Sequence, residues 1–293
     1  MPAKNPKGRG AKPGPSVPTP ATPAATDTTA TPRTYAWWVW SGMPTFEGVC
    51  DALAFQYAAL DELLQPVLAH QAAPGPHTGL DPWRTAVLLA RLTTAAEEVV
   101  AVTQDSASGV PAADAVDWFR SPVTARNWAA SEAVARSAAG RAMQAGVRRS
   151  AVSHRAATAV AAAVLRSGGP DRALGGVADG LDLAEFAMTR LVPAVVYGLE
   201  LAAELGRPGY ADPRAAHLVS GFLAAVAERA AAGPATAPIA VDGQGSLIVL
   251  AGGRGKARIP AVEWIQAATS RHPVRLPLPR SHDWLAAELP LGA

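Results

Sequence analysis

Three times beyond residue 33 a capping residue is followed at once by proline: Asp81-Pro82, Ser121-Pro122 and Asp212-Pro213. The Asp or Ser oxygen can accept from the orphan N–H groups of a first helical turn, and proline at the first helical position loses no bond. Matching stops stand downstream at Gly109-Val110-Pro111, Gly168-Gly169-Pro170 and Gly233-Pro234, and Gly206 with Pro208 ends a further helix. Glycine ends a helix without strain and proline prevents its continuation. Between starts and stops, apolar residues recur at spacings of three and four, the helical period. This punctuation commits the middle of the chain to long helices joined by short loops.

Residues 45–70 read as a helix capped by Thr45, with Phe46, Val49, Cys50, Leu53, Tyr57, Leu60, Leu63, Leu64 and Val67 on its inner face. Pro66 is placed to kink or shorten its end. A second helix runs from Asp81-Pro82 to about Gln104, with Trp83, Val87, Leu88, Leu92, Val99 and Val102 inward. Residues 111–120 form a short helix holding Trp118 and Phe119. Residues 181–205 form another, interrupted by Pro193, which predicts a kink. The pattern then changes. Ile239–Val241 and Ser246–Leu250 flank the loop Asp242–Gly245, which is a hairpin signal. Gly252–Gly255 turns into a third strand at Ala257–Ile259. Pro260–Thr269 reads as a short helix, and Ser281 caps a last one containing Trp284. The fold class expected is mainly α: a helical bundle of five or six helices over roughly 45–232, with a small C-terminal β-hairpin or meander. Residues 34–235 are expected to form the bundle, and 236–293 the small β unit packed on it.

Residues 1–33 are Pro, Ala, Thr, Gly and Lys with almost no large apolar side chain, so ordering them gains little burial. A disordered basic tail is expected. No apolar core follows its basic residues before Tyr35, and no run of about 18 uncharged apolar residues occurs, so no secretory signal or transmembrane segment is expected and the cytoplasm is the expected compartment. With 49% hydrophobic residues in 293, the rest can bury one large core or two smaller ones. The single cysteine, Cys50, excludes an internal disulfide and a cysteine-based zinc site, and its apolar helical setting predicts burial.

Of the 26 basic residues, 22 are arginine. With abundant alanine, this composition fits a GC-rich bacterial genome, so arginine number alone carries little functional weight. Its distribution says more. The net charge is +4 over 1–33, −7 over 34–120, +6 over 121–172, −4 over 173–250 and +3 over 251–293. Acidic blocks flank the basic one, which predicts packing and mutual neutralisation within one bundle.

Within the basic block, Arg141, Arg148 and Arg155 stand seven apart, and Arg126 and Arg166 fall near the same line. At about 100° per residue an unbroken helix puts them on one face. Gly140, Gly146 and the caps Ser150 and Ser153 offer places for that helix to divide. A solvated face accounts for the stripe, and so does a track along a phosphate backbone. Arg254, Lys256 and Arg258 around the glycine turn form a second basic patch. In Tyr35–Trp40, aromatic and β-branched residues favour a strand with Tyr35, Trp37 and Val39 on one side and Trp38 and Trp40 on the other. Trp37, Trp38 and Trp40 are the candidate aromatic contacts, whether on a strand or extended arm packed on the helices, as an anchor to a membrane interface or partner, or as a platform for stacked bases.

Complete chemical motifs are missing. LAGGRGKAR has Leu250 and Ala257 where a phosphate loop requires glycine and Ser or Thr. No histidine has a second ligand at metal-binding spacing, and no GxSxG occurs. The segments AAEEVVAVTQD and VVYGLELAAELG resemble the carboxylate helices of all-α nucleotide pyrophosphohydrolases of the MazG type, over about forty residues. That resemblance implies a magnesium-dependent hydrolase using ExxE and ExxD carboxylates. The motif departs from the family: Ala101 follows Glu98 at the third position, and Met188 follows Glu185. Glu200 and Glu204 share a face, an ordinary helix spacing. The leading expectation is therefore a non-enzymatic helical binding or scaffold protein, without metal or cofactor. Its partner is another protein or nucleic acid, the latter bound without sequence preference. The incomplete pyrophosphohydrolase-like enzyme is the alternative.

Overall fold

The computed structural model describes residues 34–38, 43–69, 81–105, 107, 113–231, 239–251 and 255–269. The expected tail 1–33, Trp40, Arg254, the side chain of Lys256 and the expected helix at Ser281 lie outside them. The described helices are α1 (Phe46–Ala69), α2 (Pro82–Gln104), α3 (Ala115–Phe119), α4 (Pro122–Ala145), α5 (Val147–Ser167), α6 (Leu183–Glu204), α7 (Pro213–Ala230) and α8 (Ala261–Thr269). Three strands, β1 (Ile239–Val241), β2 (Leu247–Ala251) and β3 (Gly255–Ile259), form an antiparallel meander in that order. The protein is mainly helical with a small C-terminal sheet.

The helix starts work as their residues dictate. Asp81 Oδ1 accepts from Trp83 N at 2.9 Å and Arg84 N at 3.3 Å. Asp212 Oδ1 accepts from Arg214 N and Ala215 N, both at 3.0 Å. Ser121 Oγ accepts from Thr124 N at 3.1 Å. Asp182 caps α6 through Glu185 N at 2.8 Å.

Helix α6 is the centre. Every residue from Leu183 to Val195 is buried, because α1, α2, α3, α7 and α8 all pack around it. It is the one described helix long and apolar enough to cross a membrane, and 78% of its most apolar window is buried inside the protein. Pro193 lies within it. Beside that site the buried Gln56 amide of α1 donates to Ala194 O at 3.2 Å, and its oxygen accepts from Asp212 N at 2.9 Å. One side chain thus ties α1, α6 and the start of α7 together. Gly198 makes the room: a Cβ there would stand 2.7 Å from the Gln56 nitrogen.

The basic stretch is two helices. The break falls at Gly146, whose φ of +88° only glycine adopts cheaply, and not at Ser150 or Ser153. Helix α5 lies against α1 and α2. Helix α4 is attached differently. No described α4 residue joins the main core; Ala135 and Ala139 meet Ala90 of α2 in a separate small cluster. Alanine contacts allow α4 to approach α2 closely while each buries little area, and Ser131 and Glu132 add polar links to the same helix.

Tyr35–Trp38 differ from the strand expected of them. The backbone turns, with Trp38 N donating to Tyr35 O at 3.0 Å, and only an isolated bridge, Thr34 to Thr45, has strand pairing. The aromatic side chains have helices to pack on instead of a neighbouring strand. Tyr35 Oη donates to Ala184 O at 2.9 Å, and Trp37 meets Phe222 of α7 edge-on at 5.3 Å. Trp38, 2% exposed, lies over Gly221 of α7, where any Cβ would collide with its ring.

The meander places Ile239, Val241, Leu247, Val249 and Ile259 on one buried face. That face covers α7, and Trp264 of α8 donates to Ser220 O at 3.1 Å. Period-two burial of this kind is what a half-covered sheet requires.

Candidate binding cleft

Three helices carry the residues of the main recess. Arg91, Thr94, Ala95 and Glu98 share one face of α2; Arg190, Pro193 and Tyr197 share one face of α6; Ser131, Glu132 and Ala135 come from α4. Trp118 of α3 and Val177 of a single 3₁₀ turn (Gly176–Ala178) complete the lining. The recess has an empty volume of about 560 Å³ and opens to solvent. That space includes the open mouth, so the recess is a shallow cleft between helices and not an enclosed cavity.

Its charges are turned on one another. Arg190, 6% exposed, pairs through Nη1 with Glu98 Oε2. The other Glu98 oxygen accepts from Ser131 Oγ at 2.6 Å. The Arg190 guanidinium also stacks over Phe186 at 4.8 Å, and Nε donates to Thr189 Oγ1 at 3.3 Å. Arg91 Nη2 pairs with Glu132 Oε1, and its guanidinium lies 5.1 Å from the Tyr197 ring centroid. Glu132 has a second, looser arginine, Arg136, at 3.8 Å. The buried Nε–H of Arg91 has no acceptor. Burial works to lower the Arg91 guanidinium. The bond to Glu132 and the nearby Tyr197 and Glu200 outweigh it and hold the group above its ordinary value. What remains for a ligand to touch is mainly apolar: Trp118, Val177, Pro193, Ala95 and the Tyr197 ring.

The described basic and aromatic residues singled out from sequence lie elsewhere and do not form one site. Arg141, on α4, is exposed and donates to Ser137 Oγ at 3.2 Å. Arg148 and Arg155 are on α5, past the Gly146 break. Arg155 Nε pairs with Asp61 of α1 at 2.8 Å. Arg258 pairs with Asp242 at 2.8 Å and donates to Gln244 at 2.6 Å, closing the β1–β2 turn. Among the described residues, Arg126, Arg148, Arg149 and Arg166 make no ion pair. Trp37 Nε1 donates to Glu185 Oε2 at 2.8 Å, and the same oxygen accepts from Ala115 N at 2.9 Å. Burial pushes the Glu185 carboxyl up, against the lowering pull of those two bonds.

The carboxylates of the pyrophosphohydrolase-like segments are dispersed. Glu98 serves Arg190, Glu185 serves Trp37 and Ala115, and Glu204 pairs with Arg84 at 2.8 Å. Among the described residues no group of three or more His, Cys, Asp or Glu side chains could hold a metal ion. Cys50 is buried, its thiol pushed up to about 12 mainly by that burial. The cleft as a group escaped the sequence reading because its residues are spread over more than a hundred positions of chain. One signal was present: Arg190 is the only charge between Phe186 and Leu199. A lone charge in such a run must be buried and paired.

Comparison with known proteins gives no match to a family model, to a curated protein or to a solved structure.

Proposed function

We propose that the protein is a non-enzymatic, cytoplasmic binding protein built on a bundle of helices, and that its ligand is a small molecule held between α2, α4 and α6. The carrying observation is the apolar-walled cleft floored by two ion pairs. Buried ion pairs are costly to desolvate and are weak evidence of stabilisation, whereas a concave apolar site with a few fixed polar groups is the usual form of a ligand pocket. A screen of small fragments by thermal shift tests the reading. Stabilising fragments should lose their effect in Ala95→Phe, which fills the cleft. If every stabilising fragment acts equally on Ala95→Phe, the ligand site is elsewhere.

A second reading, association with nucleic acid, is supported by Arg148, Arg149 and Arg166 of α5 and Arg126 of α4, which are exposed and make no ion pair among the described residues. Such contacts would follow phosphate without reading bases, and binding would weaken steeply with salt. Replacing Arg141 and Arg148 by Gln should reduce the salt slope by about one unit per lost phosphate contact. Absence of filter binding by the intact protein at low salt ends this reading.

A further inference from the structure

We infer that the ligand of the α2–α4–α6 cleft is electrically neutral and predominantly apolar, an inference that rests on the cleft being the binding site. Each charge lining it is already matched. Glu98 has both oxygens engaged, by Arg190 and Ser131. Arg91 is held by Glu132. An anion entering the cleft has to displace a carboxylate from its arginine, and a cation has to displace an arginine from its carboxylate. Either exchange strands a partly buried charge, which is the expensive way to break such a pair. The field at Arg91 adds a bias against anions: Glu132 is bonded to it and Glu200 is close enough to act on it. Among the cleft residues one buried polar atom is left over, the Arg91 Nε–H donor. It can accommodate one neutral acceptor and calls for no charge.

The walls fit the same class. Trp118, Pro193 and the Tyr197 ring present flat apolar surface, and Ala95 and Ala135 leave space between the helices. Val177 at the mouth is 41% exposed, an apolar side chain left in water beside the opening. A neutral ring system entering here buries apolar area on both sides without disturbing an ion pair.

Two fluorescent probes that differ chiefly in a sulfonate separate the possibilities: neutral N-phenyl-1-naphthylamine and its anionic analogue 1-anilinonaphthalene-8-sulfonate. The neutral probe should bind the intact protein with one-to-one stoichiometry, and the sulfonate at least about tenfold more weakly. Ala95→Phe should abolish the neutral probe's signal, its fold checked by circular dichroism and melting. Val177→Glu, at an exposed position that leaves the core alone, should weaken the neutral probe several-fold. Sulfonate binding as tight as or tighter than the neutral probe, and lost in Ala95→Phe, overturns the neutral class while the cleft stands. Failure of both probes to bind, or binding indifferent to both substitutions, overturns the cleft itself.

Discussion

His154 sits on α5 with 0% exposure, and neither ring nitrogen has a hydrogen-bond partner. It faces the Tyr57 ring of α1 edge-on at 6.5 Å. Burial lowers its pKa from 6.5 to about 4, with Asp61 pulling weakly the other way. In the unfolded chain the imidazole takes a proton near 6.5, and in the folded chain it resists until about 4. The unfolded state therefore binds more protons in that window. The neutral-histidine contribution is fully present above about 6.5 and is lost as pH falls toward 4. At 1.36 kcal/mol per pKa unit, the loss is about 3 kcal/mol. His154→Leu removes this term and also removes two buried polar atoms without partners, each costing about 1–3 kcal/mol when unsatisfied. The variant should be more stable than the parent at neutral pH, and its advantage should widen by about 3 kcal/mol between pH 6.5 and pH 4. Urea melts of both proteins across that range measure it. The difference between the two proteins matters, because His217 is also lowered by burial and titrates in the same direction. A constant difference across the range would show that His154 is protonated or solvated in the native state, and the reasoning fails.

Two further substitutions probe the architecture. Glu98→Gln leaves Arg190 buried without its counter-charge and should cost about 3 kcal/mol or more in a denaturant melt; Arg155→Gln breaks a half-exposed surface pair and should cost at most about 1 kcal/mol. Equal costs would contradict the burial difference. Gly221→Ala puts a methyl group into the Trp38 ring and should destabilise by roughly 1–3 kcal/mol, with tryptophan emission moving to longer wavelength as the arm lifts.

Where structure is decided locally, the sequence was readable. Asp81, Ser121 and Asp212 cap their own helices, and the nearby prolines need no distant partner to act. The meander was legible for the same reason, through alternation around Asp242–Gly245. The packing of Tyr35–Trp38 on the helices was readable and the strand was not, because β propensity expresses a fit to a half-buried surface, and here α6 and α7 supply that surface. The Gly146 break needed a backbone angle, which composition does not reveal: Gly140 has the same side chain and stays helical. The cleft was hidden because its ion pairs join α2 to α4 and α2 to α6. From the residues alone, Glu98 looked like half of a carboxylate motif, and only Arg190, ninety-two positions away, shows what it serves.

The most direct measurement is a methyl NMR titration of the intact protein with N-phenyl-1-naphthylamine. The Ala95, Ala135 and Val177 methyl signals should shift together and saturate at one equivalent, since these three line the cleft from α2, α4 and the 3₁₀ turn. Methyls of Ile239, Val249 and Ile259 in the meander should stay in place. Saturable shifts confined to the meander or to the outer face of α5, with Ala95 and Ala135 unmoved, would contradict a ligand site between α2, α4 and α6.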